Sequence, residues 1–365
     1  MINLLKQLVE TESPSNDKLA VDRVGAIIAD ECRKLGAQVG IHQQNTTGDH
    51  IVAHFPAGST GEGGILILCH MDTVFPSGTL EKMPFYQEDG KIFGPGVLDM
   101  KSGIVIALSA ISSILSSGGP ATLPVTALFT SDEEIGSHTS RALIESLARE
   151  SVMVFVMESA LVDGSLKTWR KGVGDFTVKV NGRAAHAGGD HDQGRNAIEE
   201  MAHQVLAIQK LTDYKKGTTL NVGQIRGGFA TNVVPQECSI EVDMRVLQFD
   251  EAARVESVLR NLKPVLQGTS IEVTGELNRP PLPYNQVNQT AFEKAYQIAK
   301  EKLGMELKAG GSGGGSDGNF VAPLGIPVLD GMGAVGEGYH SEREYIFAAS
   351  LEERAKLLAA LIQNW

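Results

Sequence analysis

Ile65-Leu66-Ile67-Leu68-Cys69-His70-Met71-Asp72-Thr73-Val74 is the stretch that decides the fold. The apolar run at its start is too short for a helix and suits a strand buried on both faces. It breaks off at a histidine and an aspartate, side chains that belong at the end of a buried strand rather than within it. Ile51–Phe55, Val125–Thr130 and Val152–Met157 are similar short runs flanked by turn residues. A helical stretch from Lys101 to about Leu115 lies between Ile65–Cys69 and Val125–Thr130. This order predicts an α/β domain with a mostly parallel sheet. Upstream, Ser15 or Asn16 is expected to cap a helix whose apolar positions are Leu19, Val24, Ile27, Ile28 and Leu35.

The pattern changes after Trp169. Gly174–Val180 alternates as a strand does, Arg195–Gln209 has helical period, and Thr219–Ile225 and Ser239–Val246 read as strands. A helix over Ala252–Leu262 and a strand over Ser270–Gly275 follow. The order β-α-β-β-α-β predicts an inserted α+β, ferredoxin-like domain over 171–279. Arg279-Pro280-Pro281-Leu282-Pro283 reads as the return linker. A helix at Thr290–Leu303, a strand at Ile326–Leu329 and a helix at Leu351–Ile362 then complete the first domain, 1–170 with 280–365.

The chain has 32 basic and 44 acidic residues, a net charge of −12. A nucleic-acid partner is not expected, because phosphate binding needs a basic surface. The longest apolar stretch, Ile104–Leu115, falls short of the ~20 residues of a membrane span, so no membrane partner is expected. Met1–Ser13 has no secretory pattern. Cys32, Cys69 and Cys238 are too far apart for a metal knuckle and read as reduced thiols, so the expected location is the cytoplasm. Glycine is abundant, 41 of 365 residues, which predicts tight turns and close backbone approaches.

Histidines and carboxylates recur where predicted strands end. His70 and Asp72 follow the first strand; imidazole suits a borderline metal, and a nearby carboxylate fixes its tautomer. Asp99 opens the helix at Lys101, where an ordinary N-cap is the plain alternative. Asp132-Glu133-Glu134 follows a buried strand at the end where open α/β sheets bind ligands, although such a turn can simply be solvated. Glu158 closes the run Val152–Met157. His340 sits in a glycine-rich loop, where most histidines are merely exposed. Two histidines and three carboxylates, His70, Asp99, Glu134, Glu158 and His340, suit two divalent ions that share one carboxylate. A neighbouring glutamate would then be left to move protons.

His70–Val74, Gly94–Gly103, Ser131–Ser137, Met157–Ser159, Asn181–Gly188 and Gly338–Glu342, in this order around an insertion, resemble the co-catalytic dizinc aminoacylase/carboxypeptidase family. Within it, the chain is most similar to the glutamate carboxypeptidase branch. The resemblance implies a zinc-peptidase catalytic domain with an inserted lid, or dimerisation, domain. It implies His70 and Glu158 on one Zn2+, Glu134 and His340 on the other, and Asp99 bridging, with Co2+ or Mn2+ as substitutes. It implies Glu133 as general base, Asp72 as orienter of His70, and a cis peptide after Asp99. From the lid it implies that His186 supports the oxyanion from a partner subunit of a homodimer. Asn232, Arg245 and Arg279 are implied to bind the substrate's C-terminal carboxylate, with backbone amides around Gly314 close by. The implied substrate is a peptide or N-acyl amino acid, glutamate-type by preference. An N-acyl-amino-acid or acetylornithine-type deacylase, or a dipeptidase, would use the same machinery.

Two readings from other classes compete. Gly310–Gly314 and Gly314–Gly318 both fit the serine-nucleophile pattern GxSxG, with Ser312 or Ser316 as nucleophile, but the strand and helix that must flank an elbow are not expected there. A non-catalytic binding protein would lack one ligand or the base, and all are present. Gly331–Gly336 fits GxGxxG with no helix to follow, so no dinucleotide site is expected.

Overall fold

The strand Gly64–His70 lies between Val125–Thr130 and Ser151–Val156 in a six-stranded sheet, parallel to both. Val328–Leu329 continues the parallel part beyond Ser151–Val156. At the other edge, His50–Phe55 and Gln38–His42 run antiparallel. Parallel strands end on a common side. His70 is therefore paired with Thr130, and the segments carrying Asp72, Glu133, Glu134 and Glu158 all leave the same sheet edge.

This computed structural model describes residues 1–55, 63–117 and 121–365. They form two compact units. The first is Met1–Trp169 with Tyr284–Ser312 and Ser316–Trp365; the second is Arg170–Pro283 with Gly313–Gly315. The boundaries fall a few residues from those expected, and three loop glycines group with the second unit.

The first unit buries Ile65, Ile67, Cys69, Ala127, Phe129, Met153 and Phe155 among the apolar faces of its helices. Val97–Ser116, 20 residues at mean hydropathy 1.6, is long and apolar enough to cross a membrane by composition. It is not one straight helix: Asp99 and Met100 have non-helical backbone, and the regular helix is Ser102–Ser116, 15 residues. At ~1.5 Å per residue that is too short for a ~30 Å hydrocarbon core, and 78% of the hydrophobic window is buried inside the protein.

The upstream helix departs from expectation. It spans Lys18–Lys34, and its N-cap is Asp17, whose carboxylate accepts from the Ala20 amide. Ser15 instead donates to Asp72. Leu19 is 71% exposed, because the inward stripe runs through Ala20, Val21, Val24 and Ile28. Elements not expected from the sequence appear as well: the amphipathic helix Ile2–Glu10, the edge strand Gln38–His42, and a small antiparallel sheet. That sheet joins Gly336–Glu337, Tyr345–Phe347, Lys91–Phe93 and Tyr86–Glu88.

The second unit is a four-stranded antiparallel sheet of Gly172–Asn181, Thr219–Gly227, Glu237–Val246 and Ser270–Arg279. Counted along the chain, its spatial order is 2-3-1-4, that of a ferredoxin-like unit. Phe176, Val178, Val180, Ile240, Val242 and Met244 point to one face, against the helices Ala197–Gln209 and Phe249–Arg260. Alternation sends Asp175, Asp243 and Arg245 to the opposite face.

Candidate metal centre

His70 is the last residue of its strand and only 2% exposed. Its Nδ1 lies 3.1 Å from the Asp72 carbonyl and 3.5 Å from Asp72 Oδ1. This leaves Nε2 facing outward, 3.1 Å from Asp99 Oδ1 and 3.3 Å from Glu158 Oε1. Asp72 is itself wholly buried. It accepts from Ser15 Oγ (2.7 Å) and from the amides of Glu133 and Glu134 (3.2 Å each). One carboxylate thereby fixes both the imidazole and the turn that carries the two glutamates.

Asp99 is not a helix cap. The helix begins at Ser102 with Lys101 in the N-cap position, two residues beyond Asp99, whose backbone is extended (φ −119°, ψ 92°); the Asp99–Met100 peptide is cis. Asp99 Oδ2 lies 3.1 Å from His340 Nε2. Glu134 Oε2 is 3.5 Å from that same nitrogen. His340 reaches in from a left-handed position, φ 54°.

Glu158 depends on backbone packing. A Cβ on Gly103 would stand 2.0 Å from the Met157 carbonyl oxygen. One on Gly333 would stand 2.4 Å from that oxygen and 2.8 Å from the Glu158 carbonyl oxygen. Part of the glycine excess therefore lets two chain segments close on the peptide that presents Glu158.

The donor atoms fit divalent cations. His70, Asp99 and Glu134 offer ligand atoms within 4.8 Å of one another, as do His70, Glu133 and Glu158. Glu134 Oε1 is buried and has no hydrogen-bond partner, the state of a ligand atom waiting for a cation. Burial pushes the Glu134 carboxyl up to about 7. Hydrogen bonds that His340 donates to Asp99 and Glu134 raise it to about 10. Burial alone would lower His70, yet bonds to Asp72, Asp99 and Glu158 carry it well above its usual range. The carboxylates thus draw positive charge onto both imidazoles, charge that bound cations would supply instead.

Ser316 is wholly buried; its Oγ donates to Asp330 (2.6 Å) and accepts from the Gly318 amide. Ser316 also opens a short 3-10 turn, Asp317–Phe320, rather than a nucleophile elbow. Ser131 Oγ lies 3.1 Å from His50 Nδ1, but this buried hydroxyl donates to the Gly48 carbonyl. Neither serine is placed to attack a substrate.

In the second unit, strand pairing of Ala185–His186 with Val233–Val234 brings Asn232 beside His186, and the Ala187 amide donates to the Asn232 carbonyl. The ring of His186 is exposed, and its Nδ1 accepts from the amides of Gly188 (3.1 Å) and Gly189 (2.9 Å). In the neutral ring the proton must then sit on Nε2, which makes that nitrogen a donor. Arg245 and Arg279 lie on the strands flanking Gly172–Asn181, each opposite Val173. Asp243 takes the Nε–Nη2 edge of Arg245 at 2.7–3.0 Å. Buried Arg170, absent from the expected set, donates to the carbonyls of Gly314 (3.3 Å) and Gly315 (2.9 Å).

The sequence profile of the family described as Peptidase family M20/M25/M40 matches residues 66–364, a span that contains His70, Asp99, Glu134, Glu158 and His340. The chain belongs to this peptidase family. This family metallopeptidase is 30% identical over 376 residues to carboxypeptidase G2 of Pseudomonas sp. (strain RS-16), covering 100% of this chain and 89% of that relative. It is 28% identical over 314 residues to a succinyl-diaminopimelate desuccinylase of Dechloromonas aromatica (strain RCB), covering 81% of each. Its fold matches the crystal structure of aminopeptidase PepT from Bacillus cereus ATCC 10987 with a TM-score of 0.82 at 24% identity, over 100% of this chain and 97% of that one.

Two buried charged residues near Asp99 in this peptidase were not expected from the sequence. Glu344 is wholly buried and binds the loop before Met100. Burial, with Asp99 adding to it, pushes its carboxyl up to about 8, against the pull of its amide partners. Lys101 is 1% exposed, and its Nζ donates to the Thr11 carbonyl at 3.0 Å. The signal available was slight: a lysine among apolar residues and an acid four residues after His340.

Proposed function

We propose that this peptidase is a dizinc carboxypeptidase that cleaves the amide bond to a C-terminal amino acid, glutamate-type by preference. The observation that carries the reading is Asp99, whose two oxygens each face a different histidine, with Glu158 beside one and Glu134 beside the other. His70 and Glu158 would hold one cation, Glu134 and His340 the second, and Asp99 both. Two divalent ions, zinc with Co2+ or Mn2+ as substitutes, supply polarisation of the scissile carbonyl and a lowered pKa for water.

The protein's own groups do the rest. Glu133, held by its amide on Asp72, takes the proton of the attacking water and returns it to the leaving amine. Asp72 keeps His70 in one orientation. Arg245, Arg279, Asn232 and amides around Gly314 receive the substrate's free carboxylate, for which the arginine fork is the natural partner. His186 donates from Nε2 to the developing oxyanion, across a homodimer built on 171–279. Support for that dimer comes from the edge strand Thr219–Gly227, with Ile225 58% and Phe229 81% exposed at its end. Three free, buried cysteines fit a reducing compartment, the cytoplasm.

The test is a hydrolysis panel of peptidyl and N-acyl amino acids, with free and amidated C-termini, before and after chelation. Cleavage should need the free carboxylate, vanish with chelator and return with zinc or cobalt. Turnover indifferent to chelation would sink the reading. The desuccinylase relative makes N-acyl-amino-acid deacylation the second reading; acylated amino acids turning over faster than peptides would select it.

A further inference from the structure

We infer that Glu344 is a positioning residue that clamps the loop of Asp99 to the loop of His340. It rests on the reading that these two residues hold cations. Tyr345 pairs with Phe93 in the small antiparallel sheet, so the next step along the ladder sets Glu344 beside Gly94. From this corner the Asp99 loop leaves one strand and the His340 loop enters the other.

The Asp99 loop has little structure of its own. Gly94 (φ 152°) and Gly96 (φ 71°) hold backbone shapes that other residues rarely adopt, and Asp99 is extended. Its amides need acceptors, and one side chain provides them. Glu344 Oε1 accepts from Leu98 (2.7 Å) and Asp99 (3.0 Å), and Oε2 accepts from Gly96 (3.1 Å). The other side of the clamp is equally defined. The Glu344 amide donates to the Ser341 carbonyl, and Ser341 donates through both its amide and its hydroxyl to the Gly338 carbonyl. His340 sits inside that turn. A short neutral acceptor could satisfy one amide; a carboxylate buried at 0% exposure satisfies three and joins the two loops. Among the described residues Glu344 belongs to neither group of candidate metal ligands, and it acts through the backbone of Asp99.

The test uses Glu344→Ala, Glu344→Gln and Glu344→Asp in the full chain. The first readout is amide hydrogen exchange of Gly96, Leu98 and Asp99 in metal-free protein. These amides should exchange at least ~10-fold faster in the Ala and Gln variants, while amides of the central strand Gly64–His70 keep their protection. The second is competition of each apoprotein with a chromogenic chelator for zinc. The Ala and Gln variants should bind about 10–100-fold more weakly, kcat should fall with KM little changed, and Glu344→Asp should recover part of both. If the Ala variant does not fold, the isosteric Gln variant carries both readouts. Unchanged exchange at the three amides overturns the clamp, and so does wild-type zinc affinity in a variant whose loop is loosened. Failure of the wild-type chain to take up two cations would instead overturn the dizinc reading, and the exchange experiment still decides the clamp.

Discussion

Asp99 divides its carboxylate between two histidines: Oδ1 lies 3.1 Å from His70 Nε2, and Oδ2 lies 3.1 Å from His340 Nε2. The two rings come from segments far apart in sequence, one at a strand end and one in a left-handed loop. Replacing Asp99 with Asn keeps the volume but puts an amide NH2 where one imidazole needs an acceptor. Zinc stoichiometry should fall below two per chain, and turnover should fall at least ~100-fold, about 2.7 kcal/mol in the barrier. Metal analysis of the purified variant beside its kcat is the check. Two tightly held zinc ions per chain would end the bridging assignment.

Glu133 and Glu134 are adjacent yet differently placed. Glu134 Oε2 faces His340, and its other oxygen is buried without a partner, whereas Glu133 joins His70 and Glu158. With Glu133 as general base, Glu133→Ala should keep both metals and lose about 10²–10⁴ in kcat, the usual worth of that role. Glu134→Ala should lose metal. Zinc content and kcat measured on both variants separate the roles; a Glu133→Ala enzyme with full turnover would remove Glu133 from the chemistry.

How much of this was legible beforehand depends on distance along the chain. His70 and Glu158 could be read because each terminates an apolar run, and a buried strand tolerates a charge only at its end. The ferredoxin-like order of the second unit was legible because its strands alternate cleanly. Asp99 was ambiguous, since a helix cap and a shared carboxylate look alike from local sequence; the helix start at Ser102, with Lys101 as its N-cap, decides against the cap. Glu344 was not legible, because its three amide partners lie more than 240 residues earlier and backbone donors leave no side-chain pattern. The exposure of Leu19 was missed because the smaller Ala20 and Val21 carry the inward stripe that Val24 and Ile28 continue, and Leu19 lies off it.

Gly103 tests the packing behind the site. Its Cβ would meet the Met157 carbonyl oxygen at 2.0 Å, a backbone atom that cannot swing away. Gly103→Ala should destabilise the protein by about 3 kcal/mol, the upper end of ordinary overpacking. It should also displace the peptide before Glu158 and weaken zinc binding. Denaturant midpoints of metal-free protein give the first effect and chelator competition the second. A fully stable Ala variant would show that the helix start and the Glu158 segment can part without cost.

Glu251 governs acid stability in the second unit. Its carboxylate accepts from Arg254 (2.7 and 2.9 Å), Lys216 (2.7 Å) and Thr218 (3.0 Å). The hydrogen bond from Arg254, then that from Lys216, hold its carboxyl down at about 2, below the 4.5 of a free glutamate. The folded state therefore binds fewer protons than the unfolded chain between these values, so stability falls as pH drops. The contribution is whole above about 4.5 and is lost as pH falls through about 2. Glu251→Gln should be about 1–3 kcal/mol less stable at neutral pH, the worth of hydrogen bonds to a charged group. It should also show a flatter loss of stability across that acid window. Urea midpoints at a series of pH values for both proteins make the comparison. Parallel curves would mean that Arg254 and Lys216 hold the carboxylate no better when folded than when unfolded.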